Sequence, residues 1–252
     1  MRLFLGYILI LINLCVSTYA SPHTLSVAVA SNLSKAVDEI DNVFESLNPD
    51  VKIKKIVGST GQLVAQIEHE APVDVLLSAD YSFVDQLIQS KRADSNKVCP
   101  FTHGVLVLWS MDSDLALKDL KSSLLETKVL RIAIANPKNA PFGKAAHQVI
   151  KNLKLTDVLN PKIVTAESIA QAAQFVQSGN AQLGFIALSS IRALTLKEQG
   201  RWLVVSDELY EPLEQTAVVL NKTVFPKDAE KYVLFLKADL AQTILAKYGY
   251  KK

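Results

Sequence analysis

Short runs of β-branched and apolar residues alternate with amphipathic segments along most of this chain. The apolar positions of the amphipathic segments recur at a spacing near 3.6 residues, which predicts helices. Strands that alternate with helices in this way are typical of α/β proteins, where each helix returns the chain to a neighbouring strand. The clearest strand patterns cover residues 25–30, 51–57, 73–77, 105–109, 130–135, 163–164, 183–188, 202–205 and 216–220.

The strand patterns fall into two groups. The units up to about residue 89 predict one doubly wound lobe, and those from residue 105 predict a second α/β lobe. Residues 226–248 predict a long terminal helix or a pair of helices. A length of 252 residues is enough for two lobes of ordinary size.

The first twenty residues differ from the rest. Arg2 precedes an uncharged apolar run over residues 3–16, and small residues lead up to Ala20. This pattern predicts a secretory signal peptide over residues 1–20, cut after Ala20. A membrane anchor is the alternative, but the run is shorter than the roughly 20 residues that span a bilayer.

A lipoprotein processed at Cys15 is a weaker alternative, because the bulky Leu14 stands where a small residue is expected. Cleavage after Ala20 leaves Cys99 as the one thiol, so we expect no intramolecular disulfide. The mature product is then expected to be an exported protein.

Composition and motifs exclude several classes of function. The chain has 27 basic and 25 acidic residues, a balance unlike that of nucleic-acid-binding proteins. The histidines lack metal-ligand spacing, and neither a phosphate-binding P-loop nor a nucleophile elbow is present. We therefore predict no catalytic residues, no cofactor and no nucleic-acid partner.

At four junctions a strand ends, a small or hydroxyl residue follows, and a helix begins. Ligands of open α/β sheets bind beyond the carboxyl ends of strands, where helix N-termini offer free N–H groups. Several such ends facing one point predict an anion site without a cationic side chain. Ordinary helix capping, for example by Ser31, is the alternative at each junction. The junctions are Ala30-Ser31-Asn32, Gly58-Ser59-Thr60-Gly61, Pro141-Phe142-Gly143 and Glu167-Ser168-Ile169.

Read in order, these junctions resemble the periplasmic molybdate-binding proteins of ABC uptake systems. The segments that carry the resemblance are VAVASNLSKAVDEI, VGSTGQLVAQIEHEAPVDVLLSAD, LRIAIANPKNAPFGKAA, VTAESIAQAAQFVQSGNAQLGF and ILAKYGY. The resemblance implies a two-lobed periplasmic-binding-protein fold of type II that holds molybdate or tungstate in the cleft between its lobes. It also implies delivery of the oxyanion to an ABC permease.

The resemblance places the family's ligands on particular residues. The first hydroxyl falls on Ser31, and the second falls on Thr60 with Ser59 beside it. Backbone N–H groups fall on Phe142 and Ile169. The same residues would hold the molybdenum, as its oxyanion.

Two departures from the family pattern concern donors. Many members have a tyrosine hydroxyl where this chain has Ala187. Some members without that tyrosine carry an asparagine after the first hydroxyl residue, so we expect the Asn32 amide to donate in its place; helix capping is the alternative. Thr60 stands where the family usually has serine, which keeps the donor and adds a methyl group.

The resulting hypothesis is a monomeric, exported substrate-binding protein that captures molybdate, with tungstate as a second ligand. Lobe 1 is expected to hold residues 22–103 plus 215–252, and lobe 2 residues 104–214. Crossings near 101–104 and 211–214 would act as hinges. The alternatives are a binding protein for sulfate or another small oxyanion, a ligand-sensing domain and, less favoured, an enzyme.

Overall fold

The computed structural model describes residues 22–252, so the predicted signal peptide lies outside the described residues. The strands are β1 (His23–Ala30), β2 (Val51–Gly58), β3 (Val75–Ser78), β4 (Ala93–His103), β5 (Leu106–Ser110), β6 (Ile132–Ala135), β7 (Ile163–Ala166), β8 (Leu183–Ala187), β9 (Arg201–Val204) and β10 (Glu214–Leu220). The helices are α1 (Ser34–Leu47), α2 (Thr60–Glu68), α3 (Tyr81–Gln89), α4 (Leu120–Leu125), α5 (Pro141–Asn152), α6 (Thr156–Leu159), α7 (Ile169–Gln177), α8 (Leu188–Arg192), α9 (Pro226–Phe235) and α10 (Asp239–Lys247).

The strands form two five-stranded sheets, in the orders β2-β1-β3-β10-β4 and β7-β6-β8-β5-β9. In the first sheet β1 pairs in parallel with β2 and β3, whereas β10 runs antiparallel between β3 and β4. We call the elements around the first sheet lobe 1 and those around the second lobe 2. The predicted two-lobed α/β fold is confirmed.

Helix burial follows the predicted periodicity. Helix α1 buries Val37, Ile40 and Phe44 along one face, and the ring of Phe44 meets the ring of Tyr232 on α9 edge-on at 5.1 Å between centroids. A fully buried side chain of this kind stabilises a fold by about 1.5–3 kcal/mol. These contacts hold the C-terminal helices against lobe 1, so the end of the chain completes the lobe that its beginning starts.

The structure differs from the sequence prediction in several elements. Strand β4 is not among the strands predicted from the sequence, and the short helices α4, α6 and α8 are not among the predicted helices. Residues 226–248 form a pair of helices, α9 and α10, rather than one. Strand β4 escapes pattern analysis because it lies at a sheet edge and contains Pro100, a residue that an edge strand tolerates.

Asp41 on α1 makes the stability of lobe 1 dependent on pH. Burial raises the pKa of this carboxyl to about 7, against the opposing effects of the hydrogen bond from the Tyr232 hydroxyl (2.6 Å) and of Lys55. The unfolded chain releases the proton near its ordinary pKa of 3.8. Between these values the folded state binds more protons, so the free energy of unfolding falls as pH rises from about 4 to about 7.

We therefore expect Asp41→Asn to stabilise the protein at pH 8 by on the order of 1–3 kcal/mol and to leave it unchanged at pH 4. The amide oxygen still accepts from the Tyr232 hydroxyl, while the cost of burying a charge disappears. Urea unfolding at both pH values measures the difference. Asp50→Asn, at an exposed carboxylate, is the control and should change little; equal stability of Asp41→Asn and wild type at pH 8 would contradict the prediction.

Candidate functional site

A small cavity lies where the two lobes meet. No charged side chain from residues 22–252 lines it, and each of the six predicted ligand residues does. The sequence did not indicate Ala79, which follows β3, or Ala140, which precedes α5, because a small apolar residue gives no chemical signal of a binding site. The lining residues are Ala30, Ser31, Asn32, Ser59, Thr60, Ala79, Ala140, Pro141, Phe142 and Ile169.

Thr60 offers a hydroxyl hydrogen to this cavity. It is the first residue of α2, and its side chain is buried. The Thr60 Oγ1 accepts a hydrogen bond from the Ala79 N–H at 3.3 Å. A hydroxyl has one hydrogen and two acceptor positions, so this contact orients Thr60 and leaves its hydrogen free to donate.

Ser59 is the N-cap of α2 and lies beside Thr60. The Ser59 N–H donates to Gln62 Oε1 at 3.3 Å, and the two residues are arranged as in a capping box. The Ser59 Oγ nevertheless makes no hydrogen bond of normal geometry within residues 22–252. A buried hydroxyl without a hydrogen-bond partner lowers the stability of the protein, so such a group in a native protein usually binds a water molecule or a ligand. Ser59 Oγ therefore fits an acceptor-rich guest in the cavity.

Ser31 does not cap α1, contrary to the capping alternative. A turn follows β1, in which Leu33 N–H donates to Ala30 C=O at 2.8 Å, and α1 begins only at Ser34 with Leu33 as its N-cap. The Ser31 N–H donates to Gly58 C=O at 2.9 Å and so joins the first two junctions. Because no other described residue takes up its Oγ, the Ser31 hydroxyl is free for a guest.

The side chain of Asn32 is engaged within the protein. Its Nδ2 donates to Gln215 Oε1 at 2.7 Å and to the Tyr250 hydroxyl at 3.2 Å, which uses both amide hydrogens. The orientation is fixed because Gln215 Nε2 donates to a backbone carbonyl and the Tyr250 hydroxyl donates to the Asn32 C=O. Burial raises the pKa of Tyr250, so its hydroxyl keeps its hydrogen.

These contacts do not support donation by the Asn32 side chain in place of the absent tyrosine. The residue left at the tyrosine's position, Ala187, is buried at the N-cap of α8 and does not line the cavity. The group that Asn32 keeps available is its backbone N–H, which no residue in 22–252 accepts.

Lobe 2 contributes two helix N-termini. Phe142 is the second residue of α5, and Ile169 is the first residue of α7. Neither N–H has an acceptor in the described part of the chain, as is normal in the first turn of a helix. Both helices direct the positive end of their dipole at the cavity, which favours a negative guest.

Charged residues near the cavity are paired elsewhere. Lys144 lies one turn into α5, but its Nζ contacts Glu211 at 2.7 Å, and that hydrogen bond raises the pKa of Lys144. Asp80 caps α3 by accepting from Ser82 N–H at 2.6 Å, and Asp74 accepts from Ser26 N–H at 2.7 Å. Within residues 22–252, the lining of the site therefore offers neither a cation nor a carboxylate to a guest.

Direct contacts join the lobes around the cavity. The Gly61 N–H of lobe 1 donates to the Asn139 C=O of lobe 2 at 2.8 Å. On the other side, the Ser189 hydroxyl of lobe 2 donates to the Asn32 C=O at 2.9 Å. These hydrogen bonds form only when the lobes are close together, so the structure is a closed state of the two-lobed fold.

No group of three or more acidic, histidine or cysteine side chains within 22–252 is placed to hold a metal ion. The buried Cys99 lies in β4 away from the cavity. No helix among the described residues is long and apolar enough to cross a bilayer.

Comparison with known proteins places this geometry in a family. The model of the bacterial extracellular solute-binding proteins matches residues 25–251. The molybdate-binding protein ModA of Rhodobacter capsulatus is 38% identical over 223 residues, covering 88% of this chain and 86% of the relative. ModA of Azotobacter vinelandii is 36% identical over 226 residues, covering 90% and 89%.

A solved structure gives the same result. The periplasmic molybdate-binding protein of Azotobacter vinelandii superposes with a TM-score of 0.85 at 32% identity, covering 90% of this chain and 99% of that one. The two-sheet fold of this chain is thus a known architecture. The chain belongs to the bacterial extracellular solute-binding proteins, in the group that contains the periplasmic molybdate-binding proteins.

Proposed function

We propose that this protein captures molybdate in the interlobe cavity, accepts tungstate as a second ligand, and delivers the oxyanion to the permease of an ABC transporter. The observation that carries the proposal is the cavity itself, where three hydroxyls from lobe 1 and two helix N-termini from lobe 2 line a space that no charged side chain of the described residues lines. Its relatives are transport proteins that bind a solute, so we propose no enzymatic activity and no cofactor.

The donors are sufficient to hold a desolvated dianion. Hydrogen bonds to a charged group contribute about 1.5–3 kcal/mol each, and helix N-termini add about 0.3–2 kcal/mol each. About six such donors, set against the cost of removing the ion from water, lead us to expect a net binding free energy of about −8 to −12 kcal/mol. That range corresponds to micromolar to nanomolar dissociation constants.

The absence of a carboxylate from the lining residues selects among anions. Hydrogenphosphate carries a proton that needs an acceptor, and a ring of donors provides one only if a hydroxyl turns its own hydrogen away. Molybdate, tungstate and sulfate are fully deprotonated at neutral pH and present acceptors alone. We therefore expect phosphate to bind worst. Among the remaining ions, size decides, because a closed donor ring fits one centre-to-oxygen distance best.

Titration of the mature protein tests the proposal. Molybdate, tungstate, sulfate and phosphate are compared by calorimetry and thermal shift at equal ionic strength. Molybdate at a hundred times its dissociation constant should raise the unfolding midpoint by about 5–10 °C. Preference for sulfate would change the ligand, and no response to any oxyanion would favour a sensing domain or an enzyme.

The setting of this function follows from the same proposal. We propose that residues 1–20 direct export and are removed, and that the mature protein works as a periplasmic monomer. Lobe 1 then comprises residues 22–103 with 215–252, and lobe 2 residues 104–214. A ligand held first by one lobe recruits the donors of the other, and closure is favoured by contacts made only in the closed state.

A further inference from the structure

Gln215 is a buried polar residue where the chain returns from lobe 2 to lobe 1. It is the second residue of β10, its exposure is 0%, and its amide is fully engaged. Gln215 Nε2 donates to the Leu213 C=O at 2.7 Å and to the Ala79 C=O at 3.5 Å. Its Oε1 accepts from Asn32 Nδ2 at 2.7 Å. One side chain therefore contacts the backbone just before it in the chain and joins it to two distant residues, Ala79 and Asn32.

One of these partners, Leu213, lies in the second of the two crossings that are predicted to act as hinges. The Leu213 C=O also accepts from the Gly104 N–H at 2.8 Å, which ties the two crossings between the lobes to each other. A Cβ on Gly104 would lie 2.8 Å from Phe142 Cζ and 3.1 Å from Gln215 Nε2. The missing side chain thus lets the ring of a lobe 2 site residue approach the Gln215 amide across the first crossing.

The other two partners belong to the cavity wall. Asn32 and Ala79 both line it, and the Ala79 N–H is the group that orients the Thr60 hydroxyl. A continuous chain of contacts therefore runs from the hinge carbonyl of Leu213 through Gln215 to Thr60 on one side and Asn32 on the other.

A β-bulge lies beside Gln215. On the partner strand β4, Thr102 pairs with Gln215 and Pro100 pairs with Thr216, which leaves Phe101 without a ladder partner. The Phe101 C=O instead accepts from Gln242 Nε2 at 2.9 Å. Bulges commonly redirect side chains next to functional sites, and this one lies opposite the step from Gln215 to Thr216 in β10.

We infer that Gln215 is a positioning residue for the oxyanion. It transmits the closed hinge geometry to the Thr60 hydroxyl through Ala79 and to the first junction through Asn32. The inference rests on the proposed function and deepens it, since Gln215 itself does not line the cavity. It predicts that the amide of Gln215 affects ligand affinity more than it affects the stability of the ligand-free protein.

The test is Gln215→Met, which keeps the volume and removes both amide functions. We expect the dissociation constant for molybdate to rise about 10- to 100-fold, mainly because the ligand is released faster. This is the range typical of residues that orient ligand-binding groups through hydrogen bonds. Thr216→Val is the matched control: its side chain is as buried and lies on the opposite face of β10, with a hydroxyl that contacts only Glu214 at 3.3 Å. It should leave the dissociation constant within about threefold.

Calorimetry gives affinity, stopped-flow fluorescence gives release, and urea unfolding of the ligand-free variants gives stability. A purely structural Gln215 would lower the unfolding free energy without changing the dissociation constant, and that result overturns the inference. If the methionine variant does not fold, Gln215→Asn, one methylene shorter and unable to reach all three partners, is measured in the same way. If the wild-type protein shows no molybdate binding by calorimetry, the proposed function is refuted before any variant is compared.

Discussion

Replacing Gly143 with alanine is expected to damage both the fold and the site. Gly143 is the third residue of α5, and a Cβ there would lie 2.2 Å from the Ala135 backbone oxygen and 2.7 Å from its carbonyl carbon. Backbone cannot move aside as a flexible side chain can, so the first turn of α5 must shift away from the end of β6. Overpacking of this severity costs on the order of 3 kcal/mol.

The shift is also expected to displace the N–H of Phe142, one of the proposed oxyanion donors, because Phe142 immediately precedes the altered residue. We expect urea unfolding to show the stability loss and calorimetry at 10 °C to show molybdate binding weakened by at least about tenfold, one hydrogen bond to a charged group. Gly179→Ala is the control: its Cβ would meet nothing within 4 Å, and only its φ of 72° opposes the change. That strain costs about 1–2 kcal/mol. A Gly143→Ala protein as stable as the control would contradict the close approach.

Ser59→Asp is expected to abolish oxyanion binding while the protein stays folded. The new carboxylate would replace an unpartnered hydroxyl at the cavity, where no lining side chain is cationic. Two unit charges 4 Å apart repel by about 4 kcal/mol at an effective dielectric of 20, which is about a thousandfold in affinity before the second charge of the guest is counted.

The Ser59→Asp variant is expected to keep its folding stability, because the new aspartate can cap helix α2. Ser59 is the N-cap of α2, and aspartate is a favourable N-cap whose charge complements the helix dipole. Unfolding of the ligand-free variant should match wild type within about 1 kcal/mol, so calorimetry reports the site alone. Asn180→Asp adds one negative charge at an exposed position past the far end of α7 and should bind normally. Normal molybdate affinity of Ser59→Asp would place the guest elsewhere.

The parts of this structure that sequence predicts are those governed by local rules. Strand-to-helix junctions combine an apolar run, a small or hydroxyl residue and a helical period, and each of these is visible within a few residues. All four predicted junctions contribute residues to the cavity. Parallel strands bring their carboxyl ends to one edge of a sheet. The residues that follow these strands can therefore be identified from the sequence as the residues of the site.

The parts that sequence missed depend on distant partners. The side-chain amide of Asn32 is engaged by Gln215 and Tyr250, residues far along the chain that no local pattern connects to it. Ser31 satisfies the chemical rule for an N-cap, yet the turn through Leu33 delays the helix. Strand β4 forms because β10 offers it a partner, against the weak propensity of its own residues.

The position of β10 in its sheet bears on the order in which the molecule is assembled. This strand lies between β3 and β4, yet in the chain it follows every element of lobe 2. Lobe 2 is a continuous segment and has all its strands once residue 204 has emerged from the ribosome or the translocation channel, whereas the sheet of lobe 1 stays split until residues 214–220 insert. Such long-range closure is slow in folding. We therefore expect a newly made chain to pass through a stage in which the sheet of lobe 2 is complete and that of lobe 1 is not, and to form the interlobe cavity only after β10 has inserted.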